Sequence, residues 1–263
     1  MTKLQLAAIS AAILLLFAMY FGCDTKAKGI QRSEKSRALS SEKTDINLLL
    51  KNAREVISPA QNTFVAKLEE EIEKAPGDTA KVALLKQLSG KWYEFGQPAI
   101  AGFYAQSVAE LDNSEQAWSI SGTTYSICVQ QATEEDVKEF CGKRAIAAFE
   151  RATSLNPENV AHKMNLALSH AAFPSADNPM KGPAMLLDLN KQYPENVSIL
   201  NSLARLAIKT GQLERALERL KKAVALEPEN VSSNCLLAEV YDNLKKAAEA
   251  EQYLEKCRAL QSR

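Results

Sequence analysis

Two histidines, five cysteines and scattered carboxylate pairs are the side chains in this 263-residue sequence that could do chemistry. His162 and His170 stand eight residues apart within one helical pattern, not the four that would bring both to one metal ion. Glu134 and Glu135 stand at the start of a helical pattern, where negative charge suits the helix dipole without any catalytic role. No glycine-rich phosphate loop, H-E-x-x-H, nucleophile elbow or C-x-x-C occurs. An enzyme reading therefore has no residue to rest on, and no cofactor or metal is expected. The cysteines say more. Cys128 and Cys141 flank a predicted turn near residue 134 almost symmetrically. Two readings stay open for them: a disulfide across the hairpin if the compartment is oxidising, or small buried thiols if it is not.

The elements that carry these residues are helical. Hydrophobic residues make up 46% of the chain, which permits a sizeable core, and Val/Ile/Thr alternation is scarce. Lys+Arg and Asp+Glu are equal at 32 each, and no basic stripe with interleaved aromatics occurs, so no nucleic-acid partner is expected.

Leu4 to Phe21 runs 18 residues without a charge, about 27 Å as a helix and close to the hydrocarbon thickness of a bilayer. Residues 1–23 are therefore expected to be a membrane anchor. A lipoprotein signal acylated at Cys23 and ordinary cleavage are the alternatives. Lys26, Lys28, Arg32, Lys35 and Arg37 follow the span and only Lys3 precedes it, which leans toward a cytosolic body; an extracytoplasmic body is the alternative. Residues 24–44 read as a polar linker. Residues 45–77 read as a helical hairpin broken at Ser58-Pro59, with Ile46, Leu49, Leu50, Ala53 and Ile57 on one face and Phe64, Leu68 and Ile72 on the next.

From residue 78 to 263 the chain is periodic. PENV recurs at 157–160, 194–197 and 228–231, the last two 34 residues apart. The clearest unit, 197–230, carries Leu203-Ala204 and Ala207, then Gly211, then Ala216, Leu220 and Ala223, then Pro228. Small residues let two helices approach, glycine permits the turn, and proline stops the second helix. Unit 231–260 repeats this with Leu237-Ala238, Tyr241, Ala250, Leu254 and Cys257, and unit 160–196 with Leu166-Ala167, His170, Gly182, Leu186 and Leu189. Unit 115–159 has Trp118, Gly122 and Tyr125, then Ala145, Phe149 and Ala152 after an insertion of about eleven residues. Two lengthened helices around QATEED account for that insertion, with Thr133 and Asp136 as cap. A weaker unit, 82–114, has Leu85, Leu88, Trp92, Gly96, Ala101, Ala105 and Val108.

These spacings resemble the tetratricopeptide repeat, a 34-residue helix–turn–helix. The resemblance implies an all-α solenoid of stacked hairpins whose first helices line a concave, partner-binding face. On the register it implies, Met164, Leu168, Asn201, Arg205, Lys209 and Glu239 face that groove, which could take apolar side chains near Met164 and Leu168 and an acidic group near Asn201, Arg205 and Lys209. Cys235 would face the groove as a free thiol, Cys257 would replace a small core residue, and His170 would take the repeat's aromatic position. The Lys and Asn set with which some chaperone-binding members hold a pair of carboxylates is absent. The expected function is a membrane-tethered scaffold or adaptor for a protein or peptide partner. The alternative is an extracytoplasmic assembly factor binding a client polypeptide, similar in layout to the membrane-tethered repeat subunits of cytochrome c maturation. The last unit ends at Leu260, so its second helix must be polar outside, as Glu251, Glu255 and Lys256 suggest, or pack on another copy.

Overall fold

The computed structural model describes Gln5 and residues 45–262. The chain divides into Met1–Asp45 and Ile46–Arg263, and the helices below belong to the second unit. The expected span at 4–21 (Gln5 apart), the linker at 24–44 and Cys23 lie outside the described residues; no helix among the described residues is long and apolar enough to cross a membrane.

The twelve helices of this unit are α1 (Ile46–Val56), α2 (Pro59–Lys74), α3 (Asp78–Glu94), α4 (Pro98–Asp112), α5 (Glu115–Gln131), α6 (Glu135–Leu155), α7 (Val160–Ala172), α8 (Lys181–Gln192), α9 (Val197–Lys209), α10 (Leu213–Leu226), α11 (Val231–Asn243) and α12 (Ala247–Gln261). Each packs on its sequence neighbours from α2 onward, and α5 touches α7 as α9 touches α11, which is the stacking of a solenoid.

The recurring PENV has a local cause. Asn159, Asn196 and Asn230 are the N-caps of α7, α9 and α11, and each side-chain oxygen accepts a backbone N–H of the first turn. The preceding proline cannot extend the earlier helix, and the asparagine satisfies orphan donors of the next. Ser58 does the same for α2 in a capping box with Gln61. Thr133 does not cap α6: the cap is Glu134, without a side-chain bond, and Glu135 and Asp136 serve the dipole of the first turn instead.

The small repeat positions are where helices nearly touch. A Cβ on Gly182 would lie 2.4 Å from the Ala171 backbone nitrogen and 2.5 Å from the Ala167 carbonyl oxygen, so α8 crosses α7 backbone to backbone. Gly122 takes the Phe149 ring in the same way, at 2.9 Å. Ala204, Ala207, Ala216, Leu220 and Ala223 are all buried, as is His170. In the first hairpin Val65, not Phe64, joins Leu68 in the core; Phe64 is exposed under the Lys91 ammonium.

The insertion in unit 115–159 is absorbed as helix. α5 and α6 run 17 and 21 residues, and Cys128, Phe140, Cys141 and Tyr125 pack in their extended ends against Ile46 and Leu49 of α1. Cys128 and Cys141 are joined as a disulfide, with Cα atoms 6.0 Å apart. The buried-thiol reading of that pair is thereby replaced. A second disulfide joins Cys235 to Cys257 and pins α11 to α12. Cys235 is therefore not a free groove thiol. The outer face of α12 is polar, with Glu251, Glu255 and Arg258 exposed.

Candidate functional site

One face of the stack is made by the first helices α3, α5, α7, α9 and α11. Its N-terminal part is hollow. A cavity of about 420 Å³ lies between α3, α4 and α5, lined by Lys86, Ser89, Gly90 and Val108 among others. A second of about 420 Å³ lies between α5 and α7, lined by Ser119, Thr123, Thr124 and Asn159. Both include Gln116 and Ile120, so they form one trough along α5. Ile120 is the exposed apolar residue of that trough, at 52%. The rest of the lining mixes hydroxyls and amides with the apolar Ala105, Val108 and Ala117 and the charged Lys86, Asp112 and Glu115, so it offers an extended chain both hydrogen-bonding groups and apolar contact.

At the trough's edge Glu115, His162, Asn156 and Asn159 form a cluster. The buried His162 donates through Nε2 to Glu115 Oε2 at 2.8 Å, and the Asn159 carboxamide lies 3.0 Å from the same nitrogen. Asn156 Nδ2 donates to Glu115 Oε1 at 3.1 Å. The Asn156 amide, and then His162, hold the Glu115 carboxyl below the usual carboxylate range. The cluster ties the start of α5 to the PENV turn before α7, and it fixes the trough's rim. Among the described residues no group of three His, Cys, Asp or Glu could hold a metal ion.

The predicted groove residues meet different fates. Met164 and Leu168 are half-buried, packed against the cluster of Ala167, Leu186, Leu189, Ile199 and Leu203, and the Ser202 hydroxyl donates to the Met164 sulfur at 3.7 Å. Asn201 does not face open groove. It is 6% exposed; it accepts from Ser233 Oγ at 2.9 Å and donates to Asn230 Oδ1 at 3.3 Å. Its amide holds α9 to the cap of α11 and is spent on that structure. Arg205 is exposed and donates to Ser232 Oγ at 2.9 Å, while Lys209 and Glu239 are exposed. The structure thus brings Arg205 and Lys209 together on α9 but not with an open apolar pocket at Met164.

Gln116, Ser119 and Thr123 of the trough are not among the groove residues named from the repeat register above. Ile120 was the available signal: an isoleucine between positions that the repeat buries. The second disulfide also had a signal. Cys235 and Cys257 stand eleven residues either side of Lys246, the same symmetry about a turn that marked Cys128 and Cys141.

Comparison with known proteins agrees with the spacing. Residues 143–178 and 207–260 each match a tetratricopeptide-repeat family model. No curated protein matches. Similar solved structures include MamA (residues 41 to the end) from Desulfovibrio magneticus RS-1, at 18% identity over 72% of this chain and 98% of that one, with a TM-score of 0.45. YrrB, a repeat protein with an unusual peptide-binding site, is similar at 15% identity over 74% of this chain and 92% of its own, with a TM-score of 0.40.

Proposed function

We propose that this tetratricopeptide-repeat protein is a membrane-tethered scaffold that holds a client polypeptide along the face of its first helices, with its helical body in an oxidising, extracytoplasmic compartment. The trough along α5 carries the binding part of this reading: about 420 Å³ on either side of Ile120, an apolar side chain left 52% exposed between two hollows of mixed polar and apolar lining. A lone exposed isoleucine is ordinary on a protein surface; what favours an occupant is that this one stands between two adjoining hollows.

The two disulfides support the location. Disulfides persist outside the reducing cytosol, and here two of them sit at buried or half-buried positions of two different hairpins. They outweigh the flanking-charge lean toward a cytosolic body. An assembly factor with a dedicated client requires such a location, so it fits the same observations as the scaffold. The tether is residues 4–21, read from their apolar length.

Site-directed photo-crosslinking in membranes tests the binding face. A photoreactive phenylalanine at Ile120 is expected to give discrete adducts, and one at Ala225, exposed on α10, is not. Equal adducts from both positions, or none from position 120, would remove the trough as the site. A topology reporter fused after Arg263 tests the location; a cytosolic signal would overturn it.

A further inference from the structure

Away from the first-helix face, a cleft of about 360 Å³ lies between the second helices α8 and α10, lined by Asn190, Leu200, Arg215, Glu218, Arg219 and Lys222. Leu200 is buried beneath it. Arg215, Arg219 and Lys222 stand at spacings of four and three on α10, so one face of that helix aims three cations at one hollow. Their partners do not neutralise them. Arg219 is partly buried and donates through Nη1 to the Leu203 carbonyl at 3.3 Å; Arg215 donates to the Gln212 amide oxygen at 2.7 Å. Among the described residues no carboxylate lies within ion-pair distance of Arg215, Arg219 or Lys222, although Glu218 is on the same rim. The nearby Lys191, by contrast, is paired with Asp188 at 2.9 Å.

Two further features show that the polar lining of the cleft is incompletely partnered. Burial, and then the neighbouring Arg215, push Arg219 below the usual arginine range, against the opposing pull of Glu218. A guanidinium keeps its proton at neutral pH, so that shift reflects a charge partly removed from water beside a second guanidinium. The Asn190 carboxamide has its oxygen buried without a hydrogen-bond partner.

We propose that this cleft is a binding site for a phosphate oxyanion. Two guanidinium groups, an ammonium and an amide around one hollow can serve three or four oxygens at once, which a tetrahedral phosphate presents and a planar carboxylate does not. The phosphate comes either from a soluble phosphate or from the headgroup of an anionic lipid beside which a tethered body would stand; the cleft recognises the group the two share. The site is independent of the trough and of the client reading.

The test uses the full chain in neutral detergent, with the arginine side-chain Nε–H resonances as the reporter. Inorganic phosphate, titrated against chloride at matched ionic strength, should move the Arg219 resonance saturably. Calorimetric titration should show the Kd raised at least about tenfold by Arg219→Gln. Lys222→Gln, a change at an exposed residue that leaves the bond to Leu203 intact, should weaken binding in the same direction. Short-chain phosphatidylglycerol, compared with phosphatidylcholine, identifies the source. Saturation by phosphatidylglycerol alone assigns the site to a lipid headgroup, and saturation by inorganic phosphate alone assigns it to a soluble phosphate. No saturable shift with either probe, or equal binding by wild type and Lys222→Gln, overturns the proposal.

Discussion

Between α3 and α7 the first-helix face is open along Gln116 and Ile120, whereas between α7 and α11 the same face is filled. Met164 and Leu168 lean into the core there, and Asn201, Ser233 and Asn230 close over the space between α9 and α11 with hydrogen bonds. Both parts use one repeat spacing. The difference arises from single positions: Ser233 stands 34 residues after Ile199, a fully buried core residue. A buried hydroxyl needs an acceptor, and Asn201 turns inward to offer one beside that of the cap Asn230. Repeat spacing fixes where helices stack, while the polarity of a few residues fixes whether the face between them is free to bind.

The joint between the two parts is a backbone-to-backbone contact. Gly182→Ala places a Cβ 2.4 Å from backbone of α7, which no rotamer change relieves. It should cost at least about 3 kcal/mol, measured by urea unfolding, because α8 must move off α7. The loss should spread to α9–α12, read as faster hydrogen exchange there. If Gly182→Ala unfolds like the wild type, α7 and α8 do not cross as closely as described.

Each part also has its own covalent clamp. The loops closed are 13 residues for Cys128–Cys141 and 22 for Cys235–Cys257. Loop-entropy reasoning gives about 3 kcal/mol for each, slightly more for the longer. The paired replacements Cys128→Ala with Cys141→Ala, and Cys235→Ala with Cys257→Ala, should therefore lower stability by similar amounts. Mass measurement after alkylation of native protein should show these four cysteines unmodified until a reductant is added. Modification without a reductant would sink the clamp in whichever part shows it.

Asn201→Ala and Ile120→Ala separate structure from binding. Asn201→Ala removes two hydrogen bonds that hold α9 to α11, leaves the Ser233 hydroxyl only the Asn230 oxygen at 3.0 Å, and should cost roughly 1 kcal/mol while sparing client crosslinking from position 120. Ile120→Ala, at an exposed site, should change stability by less than about 0.5 kcal/mol and weaken client binding. The reverse pattern would mean that the filled part, not the open one, is the working surface.

His170 makes the central pair pH-sensitive. Burial, and then Lys181, hold its imidazole below the ordinary value of 6.5, opposed by Glu150. The unfolded chain then takes up the proton first, so stability is fully present above pH 6.5 and falls as the pH drops below that value toward the folded-state pKa. The melting temperature should decline on acidification from pH 7 to 5, and His170→Phe should flatten that slope. An unchanged slope would place the acid-sensitive group elsewhere.

Much of this was readable from residues. The hairpin order, the turn at Gly211, the lengthened α5 and α6, and the core positions Ala216, Leu220 and Ala223 follow from spacing alone, because helices that stack must repeat small and large residues in register. Asn201 was not readable, since its direction depends on a hydroxyl 32 residues later in another helix. Thr133 misled because a capping pattern competes with the helix dipole, and the two carboxylates of the first turn sufficed for α6. The trough was hidden for a related reason: an open space is made by side chains that do not reach it, and no motif records them.

The smallest effect lies in the turns that join first and second helices. Gly96 and Gly211 adopt φ +73° with the same pair of turn hydrogen bonds, and the corresponding turn before α12 places Lys245 at φ +61°. Gly96 belongs to the open part and Lys245 to the closed end, beside the Cys235–Cys257 clamp. A side chain with a Cβ is strained in that left-handed region, by roughly 1 kcal/mol. Glycine loses more entropy on folding, which offsets part of the relief. Lys245→Gly should therefore stabilise the terminal hairpin by about 0.5 kcal/mol, and Gly211→Ala should destabilise its own by about 1 kcal/mol, although nothing crowds a Cβ there. The effect of Lys245→Gly should be larger when the disulfide is reduced, because α11 and α12 are then held only by packing and the turn. A destabilising Lys245→Gly would show that the lysine side chain, not the backbone conformation, decides that turn.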